Sequence, residues 1–407
     1  MILLTTGRGK MKKRTAFSMF FFVYLLSLLL LVACAEKGTD TLEYKNPVNI
    51  KDQRMIYGDD NQQGKQNQPP TPPQQETEEE ESTEDYESTE DYNSDTDTQE
   101  TTASTSGSNS IETGGTTVEV VSSEFTLPEG AGDGPGNEYG GPWRMRLLLA
   151  TSEDSKEWEK TGLVISDQAD VPSLVYDADG RLLLYYVTWA EGVANRIVVA
   201  ISEDEGQSWS FKKIDLSLEN GWSGAVDPSA VLLDDGTIRL YFTLDKNDGN
   251  GASTYSALSS DGITFEFEDG IRFNAEGNVL DPNVLKIGDT WHLYAGGLPG
   301  SNFHATSDDG LDFEQEDDIE IKTGGIQLML SNGIEVEDGA RYYGFKFGEE
   351  SEAIYSLFSD DGFTWDVEGK VLELDEDNAY ESDSVKDATV IQLKDRSYLM
   401  VYSTMIE

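Results

Sequence analysis

Cysteine, histidine and basic residues are all scarce in this chain, and each shortage removes a class of function. The only cysteine is Cys34, so an intrachain disulfide is ruled out. Two histidines, His292 and His304, leave little room for a histidine-rich metal site or a Ser-His-Asp triad. Both fall in strand-like runs, which suits core or channel lining better than metal ligation. Against 78 acidic side chains stand 29 basic ones, a formal net charge of -49. Such a surface repels phosphate backbones, so no nucleic-acid partner is expected. From Val118 onward, 58 acidic and 19 basic residues leave 19 − 58 = −39 on that region alone. Solubility or a salty medium explains this surplus more simply than cation binding. The segment DKNDGN, from Asp245, fails as a calcium loop, because Gly249 comes a position early and no acid closes the loop. No metal and no cofactor are expected, and no motif supports a divalent cation in a central channel.

What is present is a repeat. SEDSKEW from Ser152, SEDEGQSW from Ser202, SSDGITF from Ser259, SDDGLDF from Ser307 and SDDGFTW from Ser359 share one pattern. Their starts lie 50, 57, 48 and 52 residues apart by subtraction. A period of that size, with short strands inside each unit, predicts propeller blades. The chemistry is local: Ser and Asp oxygens fold back onto amides, Gly supplies a positive φ, and the aromatic ring tucks beneath. Trp209 and Trp365 belong to these boxes and are structural.

Each box joins two strands, and an alternating apolar pair follows, as in DPSAVLLDDGTIRLYFT from Asp227. Asp-Gly and similar turns make these pairs hairpins. Every unit thus offers four strands. The fold class predicted is all-β, a five-bladed propeller over 118–407. The chain opens with outer strands and ends with the hairpin Asp387–Ile406, so the ring should close by pairing C-terminal inner strands with N-terminal outer ones. Val118–Leu127 could add a strand or a strap.

Ahead of the repeats, Lys12, Lys13 and Arg14 precede an apolar run from Ala16 to Ala33. That is an export signal, with a membrane-spanning anchor as the plainer alternative. Leu31-Val32-Ala33-Cys34 resembles the bacterial lipobox, which implies lipidation of Cys34 and a membrane anchor without a spanning helix. Residues 1–34 are therefore read as a lipoprotein signal, with Met11 an alternative start. By the same resemblance, Ala35 points to the outer membrane or cell surface. Residues 35–117 are polar and acidic, contain ESTEDY twice in succession from Glu81, and read as a disordered tether.

Chemistry should sit where the inner strands begin. The repeated position holds Val171, Asp227, Asp281, Ser331 and Asp387, and these starts converge on the mouth of the channel. Three carboxylates in one funnel raise at least one pKa, which suits acid and base work. Asp170 lies one residue out of register and should point elsewhere. The plainer reading of Asp227 and Asp281 is as strand caps bonded to nearby amides. Loops on the same side supply Trp189, Glu191, Arg196, Trp222, Asp245 and Lys246 as candidate ligand contacts, and rings among carboxylates suit a sugar.

The boxes and the hairpin pattern over Arg144–Ile406 resemble the Asp-box propellers of the sialidase and furanosidase-type glycosidases. Sialidases have six blades and a Phe-Arg-Ile-Pro stretch, which Trp143-Arg144-Met145-Arg146 does not match. Five-bladed arabinanase-like enzymes fit the blade count. That resemblance implies a base Asp and a pKa-tuning Asp, matched by Asp227 and Asp281, and a general acid, for which Glu191 is a guess. The expectation is a monomeric, lipid-anchored protein that binds and hydrolyses glycan or polysaccharide by two carboxylates. The alternative is a non-catalytic propeller that binds glycan or protein.

Overall fold

A computed structural model describes residues 116–135, 141–218, 222, 224–249, 251–297, 301–346, 351–375 and 377–406. The signal, Cys34 and most of the tether lie outside the described residues. Five antiparallel sheets carry four blade strands each, giving the five-bladed all-β propeller that the repeat predicts.

From the channel outward, blade II runs Ala169–Tyr176, Leu182–Thr188, Arg196–Ser202 and Ser208–Lys213. Blade III runs Val226–Leu232, Ile238–Leu244, Ser253–Ser259 and Glu266–Phe273. Blade IV begins at Val279–Ile287 and blade V at Ile326–Val336. Blade I is built from both ends of the domain: Ser382–Gln392 and Tyr398–Met405 lie inside, Met145–Ser152 and Glu159–Asp167 outside. The seam pairs Tyr398 with Ser152 and continues to Met405 with Met145. The ring therefore closes through ordinary ladder bonds and leaves no open edge at the joint.

Both faces of blade II are buried, so its second strand reads as a nearly unbroken apolar run. In Leu182–Thr188, Leu182, Leu184 and Tyr186 face the core shared with blade I. Leu183, Tyr185 and Val187 face the core shared with blade III. Side chains alternate across a strand, and here both alternations meet apolar neighbours.

The Ser-x-Asp turns close the third and fourth strands of each blade. In blade III the Asp261 carboxylate accepts the Ile263 and Thr264 amides at 2.8 Å each, while Ser259 Oγ accepts the Gly262 amide at 2.9 Å. A buried tyrosine of the preceding blade then donates to the turn. Tyr185 reaches Gly262 O at 2.8 Å, Tyr241 reaches Gly310 O at 2.7 Å, and Tyr294 reaches Gly362 O at 2.7 Å. Tyr343 of blade V does the same to Ser155 O of blade I at 2.9 Å. Near the channel a second set of bonds links the blades. The Leu174, Ala230 and Val284 amides donate to Thr389, Ser173 and Ser229 hydroxyls of the neighbouring blade, each at 3.0 Å.

The N-terminal segment is a strap. Thr116–Thr117 pairs in parallel with Leu163 and Val164 of blade I, and Glu119–Ser123 pairs in parallel with blade II from Ser208. Val118 between them is 4% exposed and packs into the core shared by the two blades. The tether boundary expected at residue 117 thus falls slightly earlier, because Thr116 and Thr117 already find an open sheet edge to pair with. The strap covers the outer edges of blades I and II.

Candidate functional site

All five innermost strands break register at the same repeat position. The breaks lie between Asp170 and Ser173, Val226 and Ser229, Leu280 and Asn283, Leu330 and Asn332, and Lys386 and Thr389. An extra residue in one strand of an antiparallel pair kinks it and re-aims its side chains. Four of the bulged residues adopt the left-handed region: Val171 at φ 48°, Asp227 at 55°, Asp281 at 50° and Asp387 at 45°. That conformation is costly for a residue with a Cβ, and most so for the β-branched Val171. Left-handed residues thus recur at the same bulge in four of the five blades.

The bulges gather Asp227, Asp281 and Asp387, and with them Asp170 and Lys386. Lys386 Nζ donates to both oxygens of Asp170 at 2.9 Å and also to the Asp387 carboxylate. Asp170 therefore does not turn away, as its register suggested. The bulge at Val171 cancels the one-residue offset. Asp227 Oδ2 accepts the Asp281 amide at 3.3 Å, so its carboxylate caps the next blade while belonging to the cluster. The hydroxyl of Ser331, at the fifth repeat position, is buried without a partner among the described residues.

Lys386 bridges Asp170 and Asp387, while Asp227 and Asp281 lie beside them, and the shifts of the group reflect it. Burial raises Asp227 to about 6, with Asp387 and Asp170 adding repulsion and the Thr243 hydroxyl and Asp281 amide opposing it. Burial, then the charge of Asp227 and of Asp387, holds Asp281 well above the carboxylate range. Asp387 is raised mainly by burial, with Lys386 acting against the shift. Lys386 is buried too, but its carboxylates outweigh that and push it up. The cluster is nearly closed. Side-chain exposure is 10% for Asp170, 13% for Asp387 and 23% for Lys386.

The remaining candidates lie elsewhere. Glu191 stands exposed on the loop after Leu182–Thr188, and none of the contacts around the aspartates involves it. Trp189 donates its indole N–H to Asp133 O at 3.0 Å and meets Trp143 edge-on, centroids 5.1 Å apart. Lys246 Nζ sits 4.1 Å from the Trp222 ring centre, 4.5 Å from Tyr255 and 4.9 Å from Phe267. Trp222 and Lys246 are thus engaged with each other, a cation held by three rings. Asp245 caps the Asn247 amide at 2.7 Å, and Arg196 is exposed at the start of a blade II strand. His292 and His304 are stacked core residues, ring centres 5.2 Å apart and Nδ1 to Nε2 3.0 Å, with burial lowering each to about 4. Two cavities of about 340 and 350 Å³ open beside Trp365 and beside Arg196, and neither is lined by the aspartates.

Lys386 and Asp170 are the members that sequence reasoning missed. A signal was available: Lys386 is the lone basic residue flanking the repeated position, directly before Asp387.

No protein-family profile matches this chain, and no curated protein sequence matches it. Solved structures of similar fold exist. A thermostable family-43 glycoside hydrolase is 14% identical, with 58% of this chain and 88% of that one covered and a TM-score of 0.48. An alpha-L-arabinofuranosidase from Clostridium thermocellum is 16% identical, covering 57% and 80%, with a TM-score of 0.43. A protein of unknown function from Dyadobacter fermentans is 16% identical, covering 67% and 87%, at 0.45.

Proposed function

We propose that the channel mouth is the acid–base centre of a glycoside hydrolase. The observation that supports this reading is the gathering of Asp170, Asp227, Asp281 and Asp387, with Lys386 bridging Asp170 and Asp387, at bulges of which three carry left-handed aspartates. Asp281, kept protonated by burial and by its neighbours' charge, donates its proton to the glycosidic oxygen as the C–O bond breaks. Asp227, ionised above about pH 6, takes a proton from the water that attacks the anomeric carbon. The pair needs no glutamate: two environments push two aspartates apart in pKa, which assigns the roles. Reducing-end release from a polysaccharide panel tests it, comparing wild type with Asp281→Asn. Turnover that survives in Asp281→Asn would remove Asp281 from the role of acid.

One observation favours binding without turnover. Asp227 is 5% and Asp170 7% exposed, so the cluster offers a substrate little surface. Saturable glycan binding with no released sugar at any pH between 4 and 8 would select that reading.

Anchoring through a lipid on Cys34 belongs to the same proposal, supported by the Leu-Val-Ala-Cys end of the apolar run. Cys34→Ser should move the protein out of the membrane fraction. Unchanged fractionation and no loss of acyl mass would refute it.

A further inference from the structure

In four blades a buried tyrosine donates to the Ser-x-Asp turn of the next blade, and the residue two places before it leans on that turn as well. This position holds Leu183, Arg239, His292 and Arg341 in blades II to V. Opposite the tyrosine, the third strand holds Val199, Ser256, His304 and Ser356. In blades III and V the two places form a closed charged unit. Arg239 Nε and Ser256 Oγ donate to Glu268 at 2.9 and 2.7 Å, and Arg341 Nε and Ser356 Oγ donate to Glu368 at the same distances. Both guanidinium groups also reach the next turn, at Asp309 O and Ser155 Oγ. In blade II the places are apolar, and a Cβ on Gly262 would stand 2.3 Å from Leu183 Cδ2. Blade IV is neither. It puts the chain's two histidines where the other blades fix a charge or exclude one.

We propose that His292 and His304 form an acid-sensitive joint: with both rings neutral they hold the Ser359–Trp365 turn of blade V against blade IV, and proton uptake releases it. The rings lie 7° from parallel, each residue is 1% exposed, and His292 Nδ1 and His304 Nε2 share a single hydrogen bond. The turn closes over them. Phe363 meets both rings edge-on at 5.2 Å, and a Cβ on Gly362 would stand 2.5 Å from His292 Cε1. Two neutral imidazoles can share a proton in this way, but two imidazolium ions would face each other donor to donor. His292 Nε2 is buried without a partner among the described residues, so charge on that ring would lack a hydrogen-bonded anion. The charged groups facing the pair are Asp361 from the turn and Glu316 from the edge of blade IV. Both are engaged elsewhere: Asp361 accepts the Phe363 and Thr364 amides at 2.8 and 3.1 Å, and Glu316 accepts the Thr306 hydroxyl at 2.8 Å. Tyr294, stacked on both rings, is held neutral by its own burial. Burial outweighs the two carboxylates and lowers each histidine from 6.5 to about 4. The stability that the neutral pair contributes is therefore complete above the ordinary 6.5 and lost as pH falls through about 4.

Hydrogen–deuterium exchange on the full chain tests this, with rates corrected for the intrinsic effect of pH. The Ser259–Phe265 turn of blade III, which rests on Leu183 and has its own Asp261 cap, is the internal reference. One proton taken up on opening, between about 4 in the fold and the ordinary 6.5, should lower protection of the Ser359–Trp365 turn about fiftyfold between pH 7.5 and 4.5. The reference turn should hold its protection over the same range. His292→Leu combined with His304→Val installs the pair of blade II, removes the titration and should keep the blade V turn protected at pH 4.5. Should that variant fail to fold, wild type supplies a second measurement. With two histidines in the chain, ring resonances after selective histidine labelling report this pair alone, and they should titrate near 4. The proposal is overturned if either ring titrates near 6.5, if both turns lose protection equally, or if the double variant loses as much as wild type.

Discussion

Asp227→Asn should make the protein more stable at neutral pH while disabling it. The wild-type carboxyl moves from an ordinary 3.8 to about 6 on folding, chiefly because burial disfavours its charge. A group whose folded pKa is raised contributes stability that is complete below its unfolded pKa. That stability is lost as pH rises through the folded value, here between about pH 4 and 6. Two units at about 1.4 kcal/mol each give about 3 kcal/mol of destabilisation once Asp227 is ionised. Asparagine cannot ionise, still offers an oxygen to the Asp281 amide, and tolerates the left-handed φ of 55°. In a domain of this size 3 kcal/mol corresponds to a melting shift of about 6 °C. Thermal melts at pH 4.5 and 7.5 provide the assay. The variant should melt only slightly higher than wild type at the lower pH, by about a third of the full shift, and by the full shift at the upper one, with glycan turnover down about hundredfold or more. A variant that melts lower at pH 7.5, or whose advantage does not change with pH, would refute the buried-charge account and leave Asp227 as a strand cap.

The other predictions probe the supporting framework. Lys386→Met strips the cluster of its cation and should cost about 2–3 kcal/mol at pH 7.5, below the figure for a fully buried pair because water reaches the ammonium. Lys386 has a raised folded pKa, so its stabilisation holds below the ordinary lysine range. The deficit should therefore shrink at pH 4.5 only because the raised carboxylates take up protons, and equal urea midpoint losses at both pH values would contradict this. Tyr241→Phe leaves the Gly310 carbonyl without its donor between blades III and IV and should cost about 2 kcal/mol, read by thermal melting. An unchanged melt would show that the tyrosine links do not hold the blades together. Glu368 is opposed by burial yet held at about 2 by hydrogen bonds from Arg341, Lys156 and Ser356. Its stabilisation is present above the ordinary glutamate pKa and lost as pH falls towards 2. Glu368→Gln should cost about 2 kcal/mol at pH 7, a discounted value for a partly exposed group, and nothing near pH 2. A deficit that persists in acid would point to lost packing instead.

What the chain announces by itself is whatever depends on near neighbours. A Ser-x-Asp turn is satisfied by amides two to four residues away, so its five copies, their period and the strands they join are readable in order. The double-faced burial of Leu182–Thr188 shows as a nearly unbroken apolar run, and the ends of the chain supply the complementary halves of blade I. Tertiary structure alone decided the cluster. Asp170 and Lys386 lie 216 residues apart in sequence and meet only because the C-terminal strands form the inside of blade I, next to blade II. Strict alternation turned Asp170 away from the channel, and a bulge that alternation does not encode brought it back. The same limit applies to the loops. Composition offers Trp222 and Lys246 as two ligand contacts, but folding sets one against the other as a cation over a ring. Arg196 looks like any exposed base until Lys213, from the paired strand beside it, is brought to line the same cavity. Chain separation hides such partnerships, because charge and shape act across space and only the closed ring fixes which residues share it.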